Sequence, residues 1–208
     1  RAEQLPCYGC VPWGGVTEFS MRDNPPKLAI HAGAHFTGSV DLRRFLHLNR
    51  TALVGSGIGS AAPALGFPEH HLDWPQPLDD VPAIVEAAGG MARALEPAAV
   101  AAHEAFLLTV PDLPGTADDL LTGRFFPSVG ARATALRLAL GRPADEIVLV
   151  IRPYDELFRA AWRAAAVEGR APLFSDCTRR LSAFSVGWPE VAEALAEVLG
   201  TGDLTVMT

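Results

Sequence analysis

The sequence predicts an α/β fold in which a parallel sheet lies between two layers of helices. Short apolar runs of strand length alternate along the chain with longer segments of helical periodicity, at least four of each. The clearest strand is a continuous β-branched run, which is typical of strands buried on both faces. The chain has 208 residues, 49% of them hydrophobic, and is therefore long enough to bury one substantial core.

The first strand is predicted at Leu28–His31, and Gly33 closes it. Helical spacing begins at Val40. The loop between them, from Gly33 to Ser39, presents free backbone N–H groups at the positive end of a helix, which is the usual construction of an anion site. A tight strand-to-helix connection that binds nothing is the alternative, and the loop alone does not decide between them.

The same loop argues against ATP or GTP hydrolysis. Gly33 and Gly38 have the spacing of a nucleotide-hydrolase phosphate loop. That loop requires Lys followed by Ser or Thr after its second glycine, since the Lys neutralises phosphate charge and the hydroxyl holds magnesium. Ser39 and Val40 occupy those two positions here.

The later elements follow from the same patterns, with turn and capping residues at their ends. We predict a helix from Asp79 to Pro97, a strand at Ala105–Val110, a short helix capped by Thr116, a helix at Val129–Leu140, a strand at Glu146–Ile151, a helix from Pro153 to about Gly169, a helix with the stripe Val191, Leu195, Val198 and Leu199, and a strand at Leu204–Met207. The stretch from Pro172 to Pro189 is predicted to be irregular.

Two polar residues follow predicted strands directly. Asp112 stands just past the strand at Ala105–Val110, and Arg152 follows the strand at Glu146–Ile151. Ligands of open parallel sheets bind at the carboxyl ends of the strands. A guanidinium there can hold phosphate by two hydrogen bonds, and its alternative role is a salt bridge at the sheet edge.

The segment Gly55–Ser60 resembles a dinucleotide-binding fingerprint, but Ser60 replaces its last glycine and Pro63 interrupts the helix that should follow. We therefore predict a mobile or turn-rich loop here. A surface loop is also predicted around His70, His71 and Trp74, with the rim of a substrate pocket as the alternative.

Composition narrows the function classes. The net charge of −7 and the pI near 5.3 argue against a nucleic-acid-binding surface, and Lys27 is the only lysine. The sequence shows no membrane-length apolar run and no leader, so we expect a cytoplasmic protein without a membrane partner. Cys7 and Cys10 have the spacing of half a metal site without a second pair, and no metal is predicted. Residues 1–20 are predicted to be a poorly ordered extension upstream of a start at Met21, and 21–208 one domain.

Two segments together resemble the bacterial sulfotransferases that use 3′-phosphoadenosine 5′-phosphosulfate. Leu28–Leu46 is similar to their first strand, loop and helix, and Ile147–Asp155, running on to Arg163, looks like their second motif, a strand ending in Arg before a helix. The resemblance extends from about Lys27 to the end. It implies a sulfotransferase fold akin to that of the phosphate-loop nucleotide hydrolases, here shortened at the C-terminus.

The resemblance also implies site residues and a reaction. The 5′-phosphosulfate would be held by the loop residues His35, Phe36, Thr37, Gly38, Ser39 and Val40, and the 3′-phosphate by Arg152. Asp112 would be the base for the acceptor, with His35 and His103 as weaker candidates. The reaction would be sulfuryl transfer to a hydroxyl or amine of a small molecule or glycan.

Two departures from the family pattern keep the alternatives open. Phe36 stands where the family has a catalytic Lys, and Ala160 stands where it has a Ser that assists 3′-phosphate binding. The second interpretation is thus an inactive member that acts by binding a nucleotide or a partner. A third is a small dinucleotide-dependent oxidoreductase using Gly55 to Gly59. The acceptor and the oligomeric state, including a homodimer, stay open.

Overall fold

The structure is a computed structural model that describes residues 24–62, 72, 74, 80–181 and 184–208. Its strands are β1 (Lys27–Gly33), β2 (Ile58–Ala61), β3 (Ala105–Val110), β4 (Glu146–Val150) and β5 (Leu204–Met207). Its helices are α1 (Ser39–Leu48), α2 (Arg50–Gly55), α3 (Val81–Ala101), α4 (Ala117–Leu121), α5 (Val129–Leu140), α6 (Tyr154–Val167), α7 (Phe174–Leu181) and α8 (Trp188–Leu199). The predicted α/β class is confirmed.

The five strands form one parallel sheet in the order β2-β3-β1-β4-β5. β1 is central and pairs with β3 and β4, with His31 opposite both Thr109 and Val148. Parallel strands of this kind are connected by right-handed crossovers. The connection that leaves β1 runs towards one edge of the sheet, whereas those that leave β3 and β4 run towards the other, so β1 lies at a topological switch point where ligands bind.

The core is a continuous apolar cluster between the sheet and the helices. Leu28, Ile30 and Phe106 are fully buried on the strands, and Met91 and Leu136 are fully buried on α3 and α5. Alternate residues of β1 are buried and half-buried, since one face of the sheet is covered more completely than the other. None of the described helices is both long enough and apolar enough to cross a membrane.

Several boundaries differ from the predictions. The first helix breaks at Asn49, which separates α1 from α2. The predicted end of α3 at Pro97 is wrong, because the helix continues to Ala101 and buries Ala99 in line with Leu95. The region after Pro172 contains α7, whose strongly charged sequence hides its short amphipathic pattern.

The segment Gly55–Ser60 is also different from the prediction. Gly55 ends α2, and residues 58–60 belong to β2, an edge strand. A Cβ at Gly59 would collide with the backbone O of Ala98 and lie 2.7 Å from the Cβ of Ala102. Glycine at this position therefore allows close packing of β2 against α3 rather than a turn.

Candidate functional site

The loop between β1 and α1 is folded tightly over the carboxyl end of the sheet. The backbone N–H of Ala34 donates to Val150 O at 2.7 Å, which extends the pairing of β1 with β4 by one residue. The hydroxyl of Thr37 donates to Ala34 O at 2.7 Å, across the loop. Gly38, with a φ of 79°, precedes the first turn of α1. These contacts hold the loop in a single compact turn.

The amide N–H groups from His35 to Val40 have no acceptor among the described residues, whereas those of Ala34 and Asp41 are bonded on either side. Phe36 and Gly38 both have positive φ, at 69° and 79°. Alternation of left-handed and right-handed residues turns successive N–H groups towards one point and forms an anion-binding concavity. This unpaired run at the start of a ten-residue helix is the main feature of the candidate site.

Arg152 lies directly beside this loop. Its Nη1 donates to Phe36 O at 2.7 Å, and its Nε donates to Glu156 Oε2 at 3.0 Å. Its own carbonyl accepts from Trp188 Nε1 at 3.0 Å. Since β1 and β4 are neighbours in the sheet, their carboxyl ends bring the two predicted segments together. Arg152 thus contacts the loop and also forms a partly exposed ion pair with Glu156. A salt bridge at the sheet edge is the alternative role expected from the sequence.

His35 bridges the loop and the segment after β3. Its Nε2 lies 2.9 Å from Gly115 O and must carry a proton to donate to this carbonyl, which leaves Nδ1 as the acceptor nitrogen. Its ring centroid lies 6.1 Å from that of Phe36 and 6.4 Å from that of Phe126. His35 is half-buried and is held in place from both sides.

Asp112 lies at the same edge, after β3, in a network that the sequence did not reveal. Its Oδ2 accepts from Trp74 Nε1 at 2.8 Å, and its carbonyl accepts from Arg132 Nη1 at 2.6 Å. The Arg132 guanidinium lies 4.7 Å from the centroid of the Trp74 ring, a cation–π contact. Trp74 is therefore part of the site rather than of an ordinary surface loop. The sequence signal for this contact is weak: it consists only of an indole and a carboxylate that both lie at the carboxyl edge of the sheet.

Two guanidinium groups are buried close to the loop. Arg43 is 9% exposed on α1, where its Nε donates to Ser39 O at 3.3 Å, and Arg132 is 3% exposed on α5. Burial lowers the pKa of each, and the nearby Asp112 carboxylate acts in the opposite direction. Both remain charged, because a guanidinium keeps its proton in proteins. They place two positive charges near the loop, with the Asp112 carboxylate close to both.

His31 lies beneath the loop on β1. Burial lowers its pKa, and the charge of Arg43 lowers it further. Its Nδ1 and the hydroxyl of Thr109, which is opposite it on β3, are buried without a hydrogen-bond partner among the described residues. His31 is therefore a neutral, structural member of the site.

The remaining predicted residues lie elsewhere. His103 precedes β3 and is exposed at the amino end of the sheet, so it is wrong as a candidate base. Ala160 lies on α6, about 9 Å along the helix axis from Tyr154, the first residue of that helix. Lys27 begins β1 and pairs with Glu146 at 2.7 Å, at the end of the strand away from the loop. It cannot supply the missing loop Lys.

The glycine-rich segment from Gly55 to Gly59 is at the amino end of β2. A dinucleotide-binding turn requires the carboxyl end of a strand, so the oxidoreductase interpretation gains no support. Within the described ranges no three His, Cys, Asp or Glu side chains are grouped as metal ligands. Cys7, Cys10, His70 and His71, together with the predicted extension at 1–20, lie outside the described residues.

Comparisons of the chain with protein-family models, curated proteins and solved structures find no match.

Proposed function

We propose that the chain binds 3′-phosphoadenosine 5′-phosphosulfate and transfers its sulfuryl group to a hydroxyl or amine of a small molecule or glycan. The observation that supports this most is the run of unpaired amide N–H groups from His35 to Val40 at the switch point of the sheet. The 5′-phosphosulfate offers several anionic oxygen acceptors to such a run. Arg43 and Arg132 add positive charge nearby in a largely dry environment, where electrostatic attraction is stronger than in water.

The residues present fit the two ends of this cosubstrate unequally. The hydroxyl of Ser39 can add a contact to the phosphosulfate, whereas that of Thr37 already donates to Ala34 O and holds the loop. Arg152 would hold the 3′-phosphate, and its Nη2 has no acceptor among the described residues. The methyl group of Ala160 can contribute no hydrogen bond there. The 5′ end is therefore the better provided of the two.

In the proposed reaction the acceptor oxygen or nitrogen attacks sulfur in line with the bridging oxygen. The new bond to sulfur forms as the bond from sulfur to the bridging oxygen breaks, and that electron pair leaves on the 5′-phosphate of adenosine 3′,5′-bisphosphate. Asp112 takes the acceptor proton, with His35 Nδ1 as the alternative base. Trp74 fixes the carboxylate of Asp112 by its hydrogen bond. The loop N–H groups stabilise the charge that develops on the transferred and leaving groups.

A second candidate function is nucleotide binding without transfer. Phe36 favours it, because an apolar side chain, 41% exposed, replaces the cation that would stabilise the bridging oxygen. Loss of one such preorganised group typically costs about 10²- to 10³-fold in rate. Both candidates require the same nucleotide site, so binding is the first test.

The binding test is a calorimetric titration with adenosine 3′,5′-bisphosphate, with AMP as the comparison nucleotide. Val40→Pro removes one unpaired N–H in the first turn of α1, where proline is tolerated, and Val40→Ala keeps that N–H. We expect saturable heat from the wild-type protein and about a tenfold weaker affinity in Val40→Pro, since a hydrogen bond to a charged group contributes about 1.5–3 kcal/mol. Val40→Ala should bind like the wild type. A folded protein that gives no heat at millimolar bisphosphate would overturn both candidates.

A further inference from the structure

A second cleft opens next to the candidate site, between the segment before α5 and the segment that leads into α8. Its volume is about 440 Å³, within the range of small-molecule sites. Its walls are mainly apolar: Phe125, Phe126, Pro127, Val129, Phe184, Val186 and Val191. Arg124, Ser185 and Glu190 supply the polar groups.

The aromatic wall of this cleft is rigid. The ring of Phe125 lies 5.0 Å from that of Trp188 and 5.8 Å from that of Phe184, both edge-on. Phe184 in turn stacks on Phe158 at 5.3 Å and 15°. Edge-on and offset contacts of this kind are the favourable arrangements of aromatic pairs. A planar ring can therefore bind here without rearranging the wall.

Phe126 lies between the cleft and the loop at residues 34–40, here called the anion loop. It is 1% exposed and has a φ of 48°, and Phe36 is the only other non-glycine residue with positive φ in the described ranges. The His35 ring lies between these two strained residues. Strain of this kind persists only where the surroundings enforce it and is concentrated at ligand sites. The cleft and the loop thus share one wall.

The two charged side chains of the cleft, Arg124 and Glu190, differ in whether they already have a partner. The guanidinium of Arg124 is exposed and makes no ion pair with any described residue. The carboxylate of Glu190 instead accepts from the backbone N–H of Gly187 at 2.8 Å, which lowers its pKa and keeps its charge at the start of α8. Arg124 is thus the cleft group available to a ligand.

From these observations we infer that the cleft binds a small planar aromatic compound that carries an acidic group, its rings against the exposed parts of Phe184 and Val186 and its anion at Arg124. Binding is independent of the function proposed above.

The test uses two fluorescent probes of the same shape, anionic 1-anilinonaphthalene-8-sulfonate and neutral N-phenyl-1-naphthylamine. We expect both to bind at one site per chain. Val186→Asp places a charge on the apolar wall and should weaken both about tenfold. Arg124→Gln should weaken the anionic probe alone, by about threefold, as is typical of one exposed charge pair. Val167→Asp, at a position 90% exposed on α6 outside the cleft, is the matched control and should change neither.

Saturating adenosine 3′,5′-bisphosphate should leave the affinity for the anionic probe within about twofold of its value without nucleotide, because the two ligands would lie on opposite sides of Phe126. Equal affinities in Val186→Asp and the wild type, or displacement of the probe by the nucleotide, would overturn the inference. Probe binding with this mutational pattern in a protein that gives no heat with the nucleotide would support the cleft while rejecting the proposed transfer. Circular dichroism of each variant verifies that it is folded.

Discussion

The guanidinium of Arg152 donates from Nη1 to the backbone carbonyl of Phe36 at 2.7 Å, although 116 positions separate these residues in the sequence. Phe36 has left-handed backbone geometry that is unfavourable for a bulky residue. A charged donor on its carbonyl helps to hold that geometry. The shape of the loop at residues 34–40 thus depends on a residue from the segment after β4 as well as on its own glycines.

Arg152→Gln should therefore weaken the binding of adenosine 3′,5′-bisphosphate by about tenfold or more, since hydrogen bonds to charged groups contribute about 1.5–3 kcal/mol. It should also increase hydrogen exchange at Ala34 and Asp41, whose amides are hydrogen-bonded on either side of the loop, measured by mass spectrometry. Arg159→Gln is the control, because Arg159 forms a comparable ion pair with Asp155 on α6. Unchanged affinity and exchange in Arg152→Gln would show that the guanidinium acts only in its pair with Glu156.

If the chain carries out the proposed transfer, Phe36→Lys tests whether the lack of a cation at this position limits its rate. The side chain is partly exposed, and both residues are equally strained at a φ of 69°, so the free energy of unfolding should change by less than about 0.5 kcal/mol. The rate of adenosine 3′,5′-bisphosphate release from the phosphosulfate, with a phenol or sugar acceptor present, should rise about 10²-fold. Chromatography of the nucleotides measures it. Phe36→Met, which adds no charge, should stay at the wild-type rate, and an equal rate in Phe36→Lys would favour the non-transferring function.

The lowered pKa of His31 predicts that the free energy of unfolding depends on pH. Burial and Arg43 hold its folded-state pKa below the ordinary value of 6.5, so between these two values the unfolded chain binds more protons than the folded one. The contribution of His31 is present above pH 6.5 and is lost as the pH falls towards the folded pKa. Urea unfolding from pH 5 to 7.5 should show a smaller slope of stability with pH in His31→Asn than in the wild type.

The hydrogen bond from Trp74 to Asp112 can be measured by a double-mutant cycle. Trp74→Phe keeps a ring over Arg132 but lacks the N–H donor, and Asp112→Ala removes the acceptor. The coupling free energy from urea unfolding should be about 1 kcal/mol. Trp162→Phe, which loses a hydrogen bond to Pro172 O, should combine additively with Asp112→Ala. A coupling near zero in the first cycle would mean that Trp74 does not fix the carboxylate.

The sequence by itself determined the α/β class, the strand–loop–helix unit around Gly33 and Gly38, and the position of Arg152 after a central strand. These features depend on local periodicity and turn chemistry, which a short stretch of sequence contains in full. It did not reveal β2, because Ile58–Ala61 is a four-residue edge strand with a glycine inside it.

Only the tertiary structure decided which side chains meet. The strand order brings Phe36 to Arg152 and Asp112 to Trp74, and it forms the aromatic cleft from segments on either side of β4 and α6. Contacts between residues that are 38 or 116 positions apart leave no periodic trace in the sequence. They are fixed by strand order and crossover direction, which are properties of the whole sheet.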